Sequence, residues 1–392
     1  MADQFEVIVV GAGLMGSAAA RYLAEMGVDV ALVGPEEPTD KSSHDGVFAS
    51  HYDQARITRK LDADAGWAKI AAAAIERYRT LEQRSGIRFF EEAGSLIAGP
   101  QSGATAKFLH DVRAVGTAQA VGFESLAGEA LSARFPFFAF PDGIEALFEA
   151  SHAGWLNPRA HIRAQIALAE AQGAKHHRAE VARVEEQAGH AAVHCADGTV
   201  LRADRVVIAC GGFSKSQALL PQPIPLTVYA RTISFFEIDA AEAARLAAMP
   251  SLIYDAPAPG LHIYVLPPVA YPDGTIRIKL GGDPVDVELH GTAEIKDWFR
   301  SGGSPEVSAQ LAAALQTLMP DLRYRTISHD SCVTSFTSTG KPLIYPQTDR
   351  IVALTGGNGV GAKCADELGR LGAMVAIGQG IPTNLYGADF RP

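Results

Sequence analysis

Phe5 to Val10 forms a nearly continuous apolar run near the start of the chain, the pattern of a strand buried on both faces of a parallel sheet. Gly11, Gly13 and Gly16 follow it, and Leu14 to Met26 then carries helical spacing that stops at Gly27. Val28 to Val33 is a second apolar strand. Together they predict a βαβ unit with its glycines at the strand-to-helix turn. Two later stretches repeat the order of strand and then glycine. Arg205 to Ala209 precedes Cys210-Gly211-Gly212, and Ile351 to Leu354 precedes Gly356-Gly357-Asn358-Gly359. A helix from about Gly361 to Ile377 follows the second of these. These exits, far apart in the chain, predict one Rossmann-like α/β nucleotide domain built from discontinuous segments, 1–85, 151–220 and 325–392.

The intervening stretches, 86–150 and 221–324, alternate apolar and polar residues between Pro-Gly turns. Thr227 to Glu237, His262 to Leu266 and Thr275 to Leu280 are examples, and they predict a mostly antiparallel β-sheet domain with helices, the α+β part of the fold. Asn157-Pro158 starts a helix with Pro at its first position, and Gly173 ends it.

Composition excludes several function classes. The 392 residues are 47% hydrophobic and 20% charged, which fits a globular chain large enough for two lobes. A net charge of -10 with interspersed signs disfavours nucleic acid, whose binders need a basic surface. Cys195, Cys210, Cys332 and Cys364 form no CxxC pair, and His44 and His51 lack further ligand spacing, so neither a disulfide framework nor a metal site is expected. No apolar run of about eighteen residues and no cleavable leader pattern occurs, so the expectation is a cytoplasmic protein without a membrane partner.

The turn Gly11-Ala-Gly13-Leu-Met-Gly16 has a chemical purpose. Its first glycine allows the tight turn, its second lets backbone approach a pyrophosphate, and its third lets helix and strand pack closely. The helix start adds unpaired N–H groups and a positive dipole end. The acid that usually ends the second strand and binds a ribose is replaced by Gly34, which leaves Glu36 or Glu37 for that task. The same two acids would repel the extra phosphate of NADP.

Five motifs in order then resemble the D-amino-acid-oxidase-like FAD-dependent oxidoreductases, in particular the branch of monomeric sarcosine oxidase and N-methyl-amino-acid oxidases, over essentially the full length. The first is the glycine turn. The second, Ser50-His51-Tyr-Asp-Gln-Ala-Arg56-Ile-Thr-Arg59, implies Arg56 against the flavin and Arg59 on a substrate carboxylate. The third, Ile276-Arg-Ile-Lys279-Leu-Gly-Gly-Asp283, implies Lys279 as the residue that activates dioxygen, with Asp283 where that branch has a histidine. The fourth, Ser331-Cys332-Val-Thr334, implies Cys332 at the point of covalent flavin attachment and Thr334 in place of a tyrosine over the substrate. The fifth, Gly356-Gly357-Asn-Gly359-Val-Gly361-Ala-Lys363, implies a second glycine turn whose lysine helps to bind the carboxylate. The likeness also puts Ser50, His51, Val181 and Gly211 with the cofactor and Tyr264 with the substrate.

Taken without the resemblance, each residue has a plainer reading. Arg56 and Arg59, three apart, could share a solvated helix face. Lys279 could lie on a wet strand face, opposite Ile276, Ile278 and Leu280. Cys332 could be a buried thiol. Lys363 is the exception, because a cation at a helix N-terminus opposes the dipole and so calls for an anionic partner. The joint reading is oxidation of a C–N bond in an amino acid or secondary amine to an imine, with dioxygen as acceptor and hydrogen peroxide as product. The partners are then a small amino-acid-like molecule and dioxygen, with the chain a monomer or small homo-oligomer. The alternatives are a flavin dehydrogenase passing electrons to a quinone or carrier, a non-catalytic FAD-binding subunit, and an NAD(P)-dependent enzyme.

Overall fold

The computed structural model describes residues 4–257, 260–282 and 284–392. Asp283 therefore lies outside the described residues.

The opening strand, Gln4–Val10, runs parallel to Val200–Ile208 on one side and to Val30–Val33 on the other. Phe5, Val7, Ile8, Val9 and Val10 are all buried, because both faces of this sheet are covered. Val7 and Val9 pack towards the helical side with Leu23 and Leu368, while Ile8 and Val10 pack with Leu201 and Leu219 on the other. Ile351–Thr355 adds a parallel strand beside Val200–Ile208, and Lys175–His177 one beside Val30–Val33. Antiparallel strands Val181–Gln187, His190–Cys195 and Leu343–Pro346 complete an eight-stranded sheet. The helices Leu14–Glu25 and Gly361–Ala376 cross so closely that a side chain at Gly369 would meet the Cβ of Ala18 at 2.4 Å.

A nine-stranded, mostly antiparallel sheet forms the second layer. Its centre is Leu226–Ile238, flanked by Ile276–Gly281 and by Thr326–Thr337. The strand Thr326–Thr337, although it follows residue 325, pairs with Leu226–Ile238 from Thr337↔Leu226 to Thr326↔Glu237. It carries Cys332 and Thr334, which line one cavity with Gly11 and Gly211. Ser95–Pro100, Glu124–Ala127 and Ile144–Glu149 reach the same sheet from the earlier segment.

Arg56–Thr58 is a strand paired with Gly154–Leu156, not a helix. The solvated-helix reading of Arg56 and Arg59 fails for that reason. The wet-face reading of Lys279 fails as well: its strand is covered on both sides and the side chain is 1% exposed. Ile278 and Leu280 face one core, while Lys279 faces the segment that carries Asp53 and Ala55. Among the described residues no helix is long and apolar enough to cross a membrane.

Candidate functional site

The glycine turn is shaped by contacts that leave no room for side chains. Gly11 has φ 108°, and a Cβ there would lie 2.4 Å from the Ala209 carbonyl oxygen. A Cβ on Gly16 would lie 1.9 Å from the Gly11 oxygen, which fixes helix against strand. Gly34 has the same cause: a Cβ would meet the Ala12 nitrogen at 2.5 Å. Gly13 differs, since its only near neighbour is His51 Nδ1 at 3.8 Å, so the space in front of it is open. The helix that starts there has no side-chain cap and no acid in its first turn. Its first N–H groups face a cleft and are free to bind an anion.

That cleft holds about 1480 Å³ of empty space, part of it open to solvent. It runs from Gly34 and Val181 past Gly11 and Gly13 to Ser50, His51, Arg56, Cys332 and Thr334. Gly211, Gly357, Gly359 and Gly361 line it too. Three strand exits far apart in sequence thus meet at one opening. Gly16 lies behind the wall, against the Gly11 oxygen. Glu36 is not in the wall; it is an exposed residue paired with Arg178 at 2.7 Å. Glu37 is gripped through both oxygens by Arg159. The structure thus directs neither acid into the cleft.

At the far end, Arg56 donates to the Ser50 carbonyl at 2.7 Å and lies 3.8 Å from Cys332 Sγ. Ser50 Oγ donates to the Val333 carbonyl at 3.0 Å, which ties this loop to the Cys332 strand. Cys332 is half-buried at the cleft surface. Thr334 presents a buried hydroxyl with no partner, a donor and acceptor left for a ligand. Burial and the nearby Arg159 and Arg56 push His51 down to about 3, so the imidazole beside the glycine turn is neutral.

Behind this end lie two buried ion clusters built on acids that the sequence did not single out. In the first, Lys279 pairs with Asp53 and donates to the Ala55 carbonyl at 2.9 Å. Asp53 also pairs with Arg56 and accepts from the Tyr271 hydroxyl at 3.0 Å. Burial alone would raise the Asp53 pKa, but Lys279 and Arg56 overcome it and hold the carboxyl well below its usual range. Lys279 is pushed down to about 8, by burial first and by Arg56 second. Tyr264 stacks near this group, its ring centroid 5.4 Å from Lys279 Nζ. In the second cluster, Lys363 donates to Asp62 at 2.8 Å and Arg59 lies 3.8 Å from the same carboxylate. Arg59, Lys363, Lys279 and Tyr264 are therefore gathered near one another's elements but are not part of the cleft wall. Asp53 lies three residues before Arg56, and Asp62 three after Arg59; that spacing was the one sequence signal for either acid.

The site fits a dinucleotide. Bare helix-start amides, a glycine with open space before it, a neutral histidine and an unpartnered threonine hydroxyl all face one cleft. A Gly13→Val variant is expected to fold with the thermal midpoint of the cofactor-free wild type but to purify colourless, because its side chain would fill space that no protein atom occupies. Retained yellow colour would remove this turn from the cofactor site.

Comparison with known proteins agrees. A profile of the family described as FAD dependent oxidoreductase matches residues 6–374. The monomeric sarcosine oxidase of Bacillus sp. (strain B-0618) is 27% identical over 388 residues, covering 96% of this chain and 93% of that protein. The N-methyl-L-tryptophan oxidase of Yersinia pestis (strain Pestoides F) is 24% identical over 389 residues, 97% of each. Among solved structures, NikD, an unusual amino acid oxidase essential for nikkomycin biosynthesis, shares the fold with a TM-score of 0.78 at 20% identity, covering 98% of this chain and 97% of that one. L-proline dehydrogenase from P.horikoshii shares it with a TM-score of 0.75 at 16% identity, covering 97% and 95%. The chain belongs to the FAD dependent oxidoreductase family, and FAD is its cofactor.

Proposed function

We propose that this oxidoreductase removes two electrons and two protons from the C–N bond of an amine, either an amino acid or an N-substituted amino acid, giving an imine, with dioxygen as the acceptor and hydrogen peroxide as the product. FAD, when bound, supplies the redox chemistry, accepting the electrons from the amine and passing them to dioxygen. Gly11, Gly13 and the amides at the helix start would hold the pyrophosphate, while Arg56, Ser50 and Thr334 would border the ring end of the cleft. Cys332 is the residue that would carry a covalent bond to the cofactor.

The observation that carries the oxidase reading is Lys279. It is a fully buried amine held by one carboxylate that also serves Arg56, so two cations share one counter-charge. A fixed positive charge of this kind stabilises negative charge that develops on dioxygen in a dry site. Arg59, Lys363 and Tyr264 would face the substrate, and Asp283 remains a proposed member of that group by sequence alone. A dehydrogenase is the second reading, because a dehydrogenase shares the fold.

Anaerobic bleaching of the bound flavin by a panel of primary, N-methyl and cyclic amines tests the proposal, followed by a peroxide assay in air. Bleaching with peroxide in equal amounts is expected. Bleaching without peroxide would select the dehydrogenase, and no bleaching by any amine the non-catalytic subunit.

A further inference from the structure

Asp53 joins two cations behind the far end of the cleft. Its Oδ2 takes both Lys279 Nζ and Arg56 Nη1. Its Oδ1 accepts the Gln54 N–H at 2.7 Å and the Tyr271 hydroxyl at 3.0 Å. Both oxygens are thus engaged, and the residue is 2% exposed. Tyr271 is itself fixed, edge-on to Phe235 at 5.6 Å and with the Arg277 guanidinium 4.6 Å from its ring centroid. The two cations depend on this carboxylate unequally. Arg56 also donates to the Ser50 carbonyl at 2.7 Å and to the Ala55 carbonyl at 3.1 Å. Lys279 is 1% exposed, and its bond to the Ala55 carbonyl is to a neutral group. An arginine keeps its charge in any protein environment, whereas a buried lysine sheds its proton when no anion balances it. Loss of the Asp53 charge would therefore fall on Lys279. The other titratable or charged groups acting here are Cys332 from Thr326–Thr337, Tyr264 from His262–Ala270 and, through Asp53, Tyr271 and Arg159. Asp53 supplies the carboxylate in this set.

We propose that Asp53 is a positioning residue: its carboxylate, shared with Arg56, keeps the Lys279 ammonium charged and in place for the dioxygen step. The inference rests on the reading that Lys279 serves dioxygen. Arg56 competes for the carboxylate and repels Lys279, so the two neighbours act in opposite senses. Removing the Asp53 charge leaves Lys279 beside an unopposed guanidinium, and the amine becomes neutral at a lower pH. Removing the Arg56 charge leaves the carboxylate to Lys279 alone, and the ammonium persists to a higher pH. A residue that merely filled space would not link the two changes with opposite signs.

The test uses the FAD-loaded protein, reduced photochemically without oxygen so that no substrate is needed. Stopped-flow mixing with dioxygen across a range of pH gives the midpoint at which reoxidation slows, expected at about 8 in the wild type. Asp53→Asn is expected to move that midpoint down by at least about one pH unit, to react at least about fivefold more slowly near pH 8, and to recover as pH falls. Arg56→Gln is expected to move it up by at least about half a pH unit. Lys279→Met should show no midpoint. An Asp53→Asn midpoint within about 0.3 pH units of the wild type overturns the proposal, and so does a low rate that has not recovered by about pH 5. If Asp53→Asn does not fold, Arg56→Gln decides: a raised midpoint supports the proposal, and one that stays or falls overturns it. A Lys279→Met variant that reoxidises as fast as the wild type would instead sink the reading of Lys279, and the role of Asp53 with it.

Discussion

A Lys279→Met variant is expected to react with dioxygen about 10²–10³-fold more slowly than the wild type after anaerobic reduction, the loss typical for one preorganised charge in a dry site. Reduction by substrate should change far less. Met fills nearly the same volume, so the buried strand keeps its packing. Asp53 also keeps Arg56 and the Tyr271 hydroxyl as partners, so the deletion leaves no carboxylate alone. Equal loss in both half-reactions would show that Lys279 holds the site together instead of serving dioxygen. The pH profile gives an independent reading. With Lys279 pushed down to about 8 by burial and Arg56, its charge is present below that pH and lost above it. The dioxygen step of the wild type should therefore slow as pH rises through about 8, and the Met variant should show no such fall. Stopped-flow reoxidation across pH 6 to 10 would measure both, with pH chosen to span about two units either side.

Asp366→Ala is expected to cost about 3–5 kcal/mol of stability, a large part of what a folded domain has to spare. Asp366 is fully buried in the helix Gly361–Ala376. It accepts from Arg21 at 2.8 Å, Arg77 at 2.7 Å, the Tyr22 hydroxyl at 3.0 Å and Gln165 at 2.9 Å. One carboxylate thus joins the first helix, the N-cap of Tyr78–Ser85 at Arg77, the helix Pro158–Ala171 and its own. Its removal leaves the 2% exposed Arg21 with Glu25 as its counter-charge, a carboxylate it shares with Arg84, and leaves Arg77 without one of its two acids, which explains the size of the effect. Breaking the exposed pair of Arg88 and Glu91 should change stability by under about 1 kcal/mol. Denaturant midpoints of the two variants compare the cases; similar small losses would mean that water reaches Arg21. Burial would raise the Asp366 pKa, but Arg21 and Arg77 outweigh it and lower it. Stability from this group is then complete above the ordinary Asp value of about 4 and is lost as pH falls through the lowered one.

The opening βαβ unit was legible because its causes are local. A doubly buried strand needs an apolar run, and a turn with φ 108° against a carbonyl oxygen needs glycine, so Phe5 to Gly16 announced both shape and ligand. The alternation of Ile276 to Leu280 was equally legible, but alternation says which side chains share a face and nothing of what covers that face. Lys279 on a covered face is a buried cation, and on an open one it would be ordinary.

What the sequence determined by itself was the opening βαβ unit, the later exits from strand to glycine, the alternation of the antiparallel segments and the resemblance that led to FAD. The tertiary structure alone decided the partners of the charges. Asp53 meets Lys279 across 226 residues, and Asp62 meets Lys363 across 301. It also placed the strand Thr326–Thr337 in the antiparallel sheet, and turned Glu36 away from the cleft towards Arg178. The division has a physical reason. Backbone conformation and hydrophobic period are fixed by neighbours in the chain, whereas the value of a charge depends on burial and on which opposite charge is brought within reach of it.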